Sequence, residues 1–338
     1  MTSQPRAGSD RELSSADPAR PQPDVSVIVV NYNTAHLLHD MWSALSAARD
    51  GLALEVIVVD NASRDDSVKL LQTDPTFAAA RLILNTVNVG FGRANNQAVK
   101  HATGRFVLLL NTDAFVSADT LTKTVARMDE SPECGVIGVR LIGRDGAVQP
   151  GCRFFPTPWN LFLARSGLVR FFPKTRLVDD ATWNDGKSQE CDWVPGCYLL
   201  TRKALIDQVG LFDPRYFLYF EEVDFCRRVK LAGGRTVYFA DTTVIHLGGE
   251  SAKSDASLTA AGQQISVLQI ESELLYFRKN HGRSGLLSLV LLSWLADLIQ
   301  AFKHLVKGRP RSMGGSAGHA VTLAIILLQT AWGSAPTR

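Results

Sequence analysis

Four short apolar runs recur between residues 25 and 111, and each leads into a segment with helical character. They are VSVIVVN (Val25–Asn31), LEVIVVD (Leu54–Asp60), RLILN (Arg81–Asn85) and RFVLLLN (Arg105–Asn111). Continuous runs of β-branched residues and leucine are the pattern of strands buried on both faces. Thr34 is placed to cap a helix reaching about Ala48, and a short helix follows from Asp65. The turn GFGRANN opens a third helix ending near Gly104, and Ser117 is placed to cap a fourth. This alternation predicts an α/β fold: a Rossmann-like, mostly parallel sheet with helices on both faces.

Sheets of this kind bind ligands beyond the carboxyl ends of their strands. Those ends carry Asn31, Asp60, Asn111 and Asp113, and Asn88 lies just past the third strand. The first βα turn, NYNTAH, has no glycine, which argues against a dinucleotide-binding dehydrogenase. The second half is less regular. Asp192–Leu205 reads as a strand entering a helix, Phe217–Gly234 as a helix with glycine at its end, and RTVYFA as a further strand before VIHLGG. Val267, Ile270, Leu274 and Phe277 mark a helical stripe.

Charge is uneven. Residues 278–338 hold eight Lys/Arg and one acid, Asp297, a net +7, while the remaining 28 basic and 32 acidic groups give −4. The overall charge of +3 does not call for nucleic acid. Within the basic region lie two apolar stretches, Gly285–Gly308 and Ala320–Trp332. The first is interrupted by Asp297, Lys303 and His304, so its apolar part falls short of a bilayer of about 30 Å. Both suit helices lying on an anionic membrane surface. Packing on the catalytic domain, or in a homo-oligomer interface, is the alternative use. Residues 1–24 are rich in Pro, Ser and charge, lack a leader-like apolar region, and are expected to be a disordered tail. The five cysteines form no CxxC, so neither a disulfide framework nor a zinc site is expected, and a reducing cytoplasm fits.

The order of the motifs VSVIVVNYN, VIVVDNAS, NVGFGRANN, LLLNTDA, WVPGCYLLTRKAL, FLYFEEVDFCRR and VIHLGG resembles family-two inverting glycosyltransferases of the GT-A fold, in the bacterial rhamnosyltransferase-like branch. The match runs from about Val25 to His281. It implies a catalytic domain over residues 25–281, with a nucleotide-binding half (25–130) and an acceptor half (131–281), followed by the membrane-associating tail 282–338. It implies transfer of a sugar from a nucleotide-diphosphate donor, dTDP-rhamnose or a UDP-sugar, to a hydroxyl of a lipid-linked or other saccharide, at the inner face of the cell membrane. A galactofuranosyl or other hexosyl transferase on the same fold is one alternative. A catalytically silent nucleotide-sugar-binding scaffold is another.

Roles follow from that resemblance and from the chemistry it needs. A leaving pyrophosphate calls for Mg²⁺ or Mn²⁺, and such ions favour carboxylate oxygen. Asp113 and His246 are the implied metal ligands. Asn111 stands where the family's usual Asp-x-Asp has its first acid. Asn31, Asp60, Asn88, Gly90, Arg93 and Asn111 are expected around the nucleotide, with Asp60 accepting from the pyrimidine and Arg93 near the phosphates. Gly196 is expected on the acceptor wall, and Trp193 either stacks on a sugar face there or belongs to the core. An acceptor hydroxyl needs a general base. Glu222 is the expected base and Glu221 the fallback. Asp224 and Arg228 are spaced for an i,i+4 ion pair.

Overall fold

The computed structural model describes residues 22–176, 178, 186–248, 263–307 and 313–338. The tail expected over residues 1–24 lies outside them except for its last three positions.

The four predicted strands form as β1 (Val25–Asn31), β2 (Leu54–Asp60), β3 (Arg81–Leu84) and β4 (Phe106–Asn111). Between them run α1 (Ala35–Ala47), α2 (Ser67–Thr73) and α3 (Phe91–Val99). Then follow β5 (Ala114–Val116), α4 (Thr120–Glu130), β6 (Cys134–Ile142), β7 (Val148–Gln149), α5 (Pro158–Ser166), β8 (Gln189–Cys191), β9 (Tyr198–Arg202), α6 (Lys203–Val209), α7 (Glu221–Leu231) and β10 (Arg235–His246). All ten strands join one sheet in the order β3-β2-β1-β4-β9-β6-β10-β5, with β7 on β6 and β8 on β10.

The parallel, Rossmann-like block is β3-β2-β1-β4. Beyond it the sheet is mixed rather than mostly parallel, because β9 lies antiparallel to both β4 and β6. That reversal serves the site. A strand running backwards begins at the edge where its parallel neighbours end, so β9 delivers Pro195–Cys197 to the tip of β4. Asn111 N–H donates to the Cys197 carbonyl there, at 3.1 Å. At the far edge β10 runs antiparallel to β5 and pairs His246 with Ala114.

Alternation along β1 divides the core. Ile28 packs on the face covered by α3 and α7, and Val27 and Val29 on the face covered by α1 and α4. All five cysteines are free and buried.

Two expected caps do other jobs. Thr34 precedes α1, but its hydroxyl donates to Asn31 Oδ1 at 2.7 Å and pairs with Thr112 at 2.9 Å, tying the ends of β1 and β4 together. Ser117 bonds the Thr243 carbonyl at 2.8 Å, and Asp119 occupies the cap position of α4. Asp65 lies just ahead of α2 and accepts from Ala35 N–H, so it joins the two helix starts. The helix expected over Phe217–Gly234 begins only at Glu221.

The C-terminal stretches form α8 (Gln263–Val306), broken at Gly282 (φ 68°, ψ −164°), and α9 (Met313–Gln329). The residues beyond the break do not stand apart. Leu286, Leu289 and Val290 of α8 and Leu323, Ile326 and Leu327 of α9 are buried in the main core. Val267–Val306 is long and apolar enough to cross a membrane by length and composition, contrary to the shorter apolar run expected.

Candidate active site

The parallel register sets Asn31 beside Asp60, and Val30 beside Asn111, so three strand ends lie side by side. Above them opens a cavity of ≈ 340 Å³, whose wall includes Asn88, Gly90, Asn111, Asp113, Gly196, Glu221, Glu222 and His246. The sequence thus converges from widely separated stretches onto one hollow.

Asn88 shapes one end of the cavity. Its Oδ1 accepts from Asn61 Nδ2 at 2.8 Å and from Gly90 N–H at 2.9 Å. Gly90 has φ +89°, and a Cβ there would lie 2.5 Å from the Phe217 carbonyl. Only glycine tolerates both conditions. The close approach lets Phe91 N–H donate to that carbonyl at 2.9 Å, which pins the loop before α7.

In that loop Tyr219 (φ 73°) and Phe220 (φ 67°) are both left-handed, a strained arrangement for aromatic residues. The surroundings enforce it. Ser272 donates to the Leu218 carbonyl at 2.8 Å, and Phe220 packs on Tyr276 at 5.3 Å. The loop thereby aims the first turn of α7 at the cavity, with both Glu221 and Glu222 on its wall. Each has a shielded Oε2 with no hydrogen-bond partner. Burial raises both carboxyls. Glu221 stands well above the ordinary range, pushed further by the charge of Glu222. Glu222 is raised against the opposing pull of a backbone N–H and, more weakly, of the Arg153 guanidinium. The two carboxyls act as a pair that resists carrying two charges.

Asp224 turns away from the cavity. It is fully buried and accepts from Arg228 Nε at 2.8 Å, Lys279 Nζ at 2.8 Å and Asn280 Nδ2 at 3.1 Å. Its place is structural, joining α7 to α8.

Asp113, 5 % exposed, and His246 meet across the β5–β10 pairing, with Asp113 Oδ1 3.6 Å from His246 Nε2. His246 Nδ1 lies 2.8 Å from Gln149 Oε1. Burial lowers the imidazole below its ordinary value, against the opposing pull of Asp113. Among the described residues no group of three or more His, Cys, Asp or Glu is arranged to hold a metal ion. One carboxylate and one neutral imidazole nevertheless fit a divalent cation whose other ligands come from a bound pyrophosphate and water.

Four expected site residues do not line the cavity. Asp60 is 1 % exposed and sits behind the wall, where its Oδ2 accepts from Asn31 Nδ2 at 2.7 Å and its Oδ1 from Ser63 N–H at 2.9 Å. Asn31, fully buried, belongs to the same network. Arg93 donates to the carbonyls of Pro214 (2.7 Å) and Arg338 (2.9 Å), holding loops rather than facing a phosphate. Trp193 is buried, its Nε1 donates to the Phe154 carbonyl at 2.8 Å, and Arg153 stacks on it at 4.8 Å. It is core, not a sugar platform. Sequence reasoning missed Asn61 and Tyr32 on the wall, and Gln149 behind it. Asn61 directly follows the second strand and could have been read there.

Residues 26–173 match the family model Glycosyl transferase family 2. The chain carries a family 2 glycosyl transferase domain. It is 27% identical over 253 residues to the N-acetylglucosaminyl-diphospho-decaprenol L-rhamnosyltransferase of Mycobacterium tuberculosis, covering 68% of this chain and 78% of that one. It is 28% identical over 232 residues to the rhamnosyltransferase WbbL of Escherichia coli, covering 66% and 83%. Both of these relatives are rhamnosyltransferases. Among solved structures, a mannosyltransferase from Pyrobaculum calidifontis in complex with GDP-Man and Mn²⁺ aligns with a TM-score of 0.53 at 18% identity, covering 94% of this chain and 89% of that one. At that identity the likeness establishes the GT-A fold.

Proposed function

We propose that this glycosyltransferase moves a deoxyhexose, most simply rhamnose from dTDP-rhamnose, onto a hydroxyl of a lipid-linked saccharide with inversion at the anomeric carbon. The observation that carries the proposal is the shared cavity. Asp113, His246 and the Glu221–Glu222 pair all line it. The nucleotide lies over the strand ends beside Asn61, Asn88 and Gly90, and the donor sugar extends towards α7. A bound Mg²⁺ or Mn²⁺ held by Asp113 and His246 supplies charge neutralisation for the departing diphosphate. Glu222 takes the proton of the acceptor hydroxyl as its oxygen bonds to C1, while the C1–O bond to the diphosphate breaks. Glu221, held protonated by burial, keeps a second negative charge out of the cavity. Gly196, bare of a side chain, leaves room for the acceptor.

The two rhamnosyl relatives support the choice of sugar. A relative that is a poly(ribitol-phosphate) β-N-acetylglucosaminyltransferase keeps UDP-GlcNAc in the test. Thermal melting with dTDP-rhamnose, UDP-GlcNAc and UDP-galactofuranose, each with Mg²⁺, Mn²⁺ or chelator, should show the largest rise for dTDP-rhamnose with metal. NMR of the product then reports the anomeric configuration. A rise confined to UDP-sugars would reject the donor, and retained configuration would reject the mechanism.

The lipid-linked acceptor fits a surface that lies on a membrane. The first part of α8 cannot enter a bilayer, since Leu274 and Phe277 are fully buried and Glu273 pairs with Arg165 at 2.7 Å. Past Gly282 the helix exposes Leu287, Leu291, Leu295, Leu298 and Phe302, while α9 exposes Val321, Ile325 and Leu328. Spacings of three and four make each a single apolar stripe. Beside them, Arg170, Lys174 and Arg176 are exposed together with Trp159, Phe171 and Phe172. Apolar stripes edged by cations suit the cytoplasmic face of an anionic membrane.

A further inference from the structure

Gln149 lies behind the cavity wall, in a strand of two residues that pairs with β6. Among the described residues its side chain makes two hydrogen bonds, both to His246. Its Nε2 donates to the His246 carbonyl at 2.8 Å, and its Oε1 lies 2.8 Å from His246 Nδ1. The carbonyl can only accept, so it fixes which end of the amide carries the hydrogens. The other end, Oε1, is then an acceptor too, and Nδ1 must carry the ring hydrogen in the neutral imidazole. The lone pair is left on Nε2, which faces Asp113 Oδ1 across 3.6 Å. Asp113 is held from its own side, since its carbonyl accepts from Leu247 N–H at 3.0 Å. Two electron-pair donors are thus aimed at one another beyond hydrogen-bonding distance. That arrangement suits a cation held between them.

We propose that Gln149 is a positioning residue for a divalent cation, fixing the tautomer and ring orientation of His246 so that Nε2 is offered to the ion alongside Asp113. The inference rests on the metal-assisted reading of this site. It adds a residue that touches neither metal nor substrate. Outer partners of a ligating histidine commonly change metal affinity by about 10–100-fold.

The test is Mn²⁺ titration of the full chain by electron paramagnetic resonance, with UDP or dTDP present. Gln149→Met removes both bonds at similar volume. Gln149→Lys can still donate to the carbonyl but offers Nδ1 no acceptor. Gln149→Glu keeps an acceptor for Nδ1. We expect Met and Lys to weaken Mn²⁺ binding by about 10–100-fold, and Glu to stay within a few-fold of the unaltered protein. Nucleotide affinity in chelator should hold across the series, which a general loosening of the cavity would not allow. Unchanged Mn²⁺ affinity in either the Met or the Lys variant would overturn the role of Gln149 alone. So would a Glu variant as weak as Met. If the unaltered chain takes up no Mn²⁺ with either nucleotide, the metal-assisted reading falls and this inference with it.

Discussion

Asp113 Oδ1 stands 3.6 Å from His246 Nε2, although 132 residues of chain separate the two. The β5–β10 register, His246 opposite Ala114, brings them together. Since both offer electron pairs, neither alone should hold an ion firmly. Asp113→Ala is therefore expected to abolish the metal-dependent part of nucleoside diphosphate binding and leave the metal-free part in place. Calorimetry with and without Mn²⁺ separates the two. Equal affinity in both conditions for the unaltered protein would refute the assignment.

Asp60 was legible as a strand-end carboxylate, but its partners were not. Its two oxygens hold Asn31 and Ser63 beneath the nucleotide end of the cavity. Asp60→Ala leaves the buried Asn31 amide short of an acceptor, a loss of about 1–3 kcal/mol. Urea unfolding should show that loss without nucleotide. A variant as stable as the parent, but weak for nucleotide, would return Asp60 to direct contact with the base.

The difference between Asp60 and Asp113 shows what a linear reading reaches. Strand ends are marked by where apolar runs stop, so Asn31, Asp60, Asn111 and Asp113 could be located from the sequence. Which end faces the cavity depends on side-chain direction and on neighbours far along the chain. Arg93 and Trp193 show the same limit, for their partners are carbonyls that no pattern announces. The parallel block was legible because buried parallel strands read as unbroken apolar runs. The mixed half was not, because β7 and β8 are two and three residues long. Gln149 lies in the shorter of them, and nothing local distinguishes it from a turn residue.

Membrane attachment should depend on the stripes and on charge together. Burying a leucine or phenylalanine side chain yields about 1.5–3 kcal/mol, and each surface cation adds about 1 kcal/mol. Leu298→Ser with Phe302→Ser should cut binding to anionic vesicles by at least tenfold and leave melting unchanged, since both side chains are exposed. Raised salt should release much of the unaltered protein. Release by detergent alone, at every salt concentration, would point to insertion instead of surface binding.

Glu221 offers a stability test with a definite sign. Its folded carboxyl is raised well above the ordinary value, so the folded state binds the extra proton. Stability then falls as pH climbs from the unfolded value near 4.5 towards the raised one. Glu221→Gln removes that penalty. It should melt higher than the parent at neutral pH, and the gain should vanish at acid pH where both states are protonated. A gain that persists unchanged at low pH would mean that burial of the charge is not its source.

Glu222 carries the sharpest expectation. An alcohol is scarcely ionised near neutrality, so attack on C1 needs a base within about 3 Å of the hydroxyl. Asp113 and His246 are committed to the diphosphate side in the proposed mechanism, and Asp224 is consumed by Arg228, Lys279 and Asn280. Of the two carboxyls left on the wall, a backbone N–H and Arg153 favour ionisation of Glu222, while burial and then the charge of Glu222 favour the protonated form of Glu221. A base must be ionised to act, so turnover should rise with pH through a raised carboxyl pKa. Glu222→Gln should lower turnover by about 10²–10⁴-fold, abolish that rise and leave donor binding intact. Glu221→Gln should keep the rise in place, because Glu221 stays protonated wherever Glu222 acts. If the Glu221 variant is the inactive one and the Glu222 variant retains near-normal turnover, the base is one residue earlier. If both variants turn over normally, neither carboxylate accepts the proton and the proposed attack on C1 is wrong.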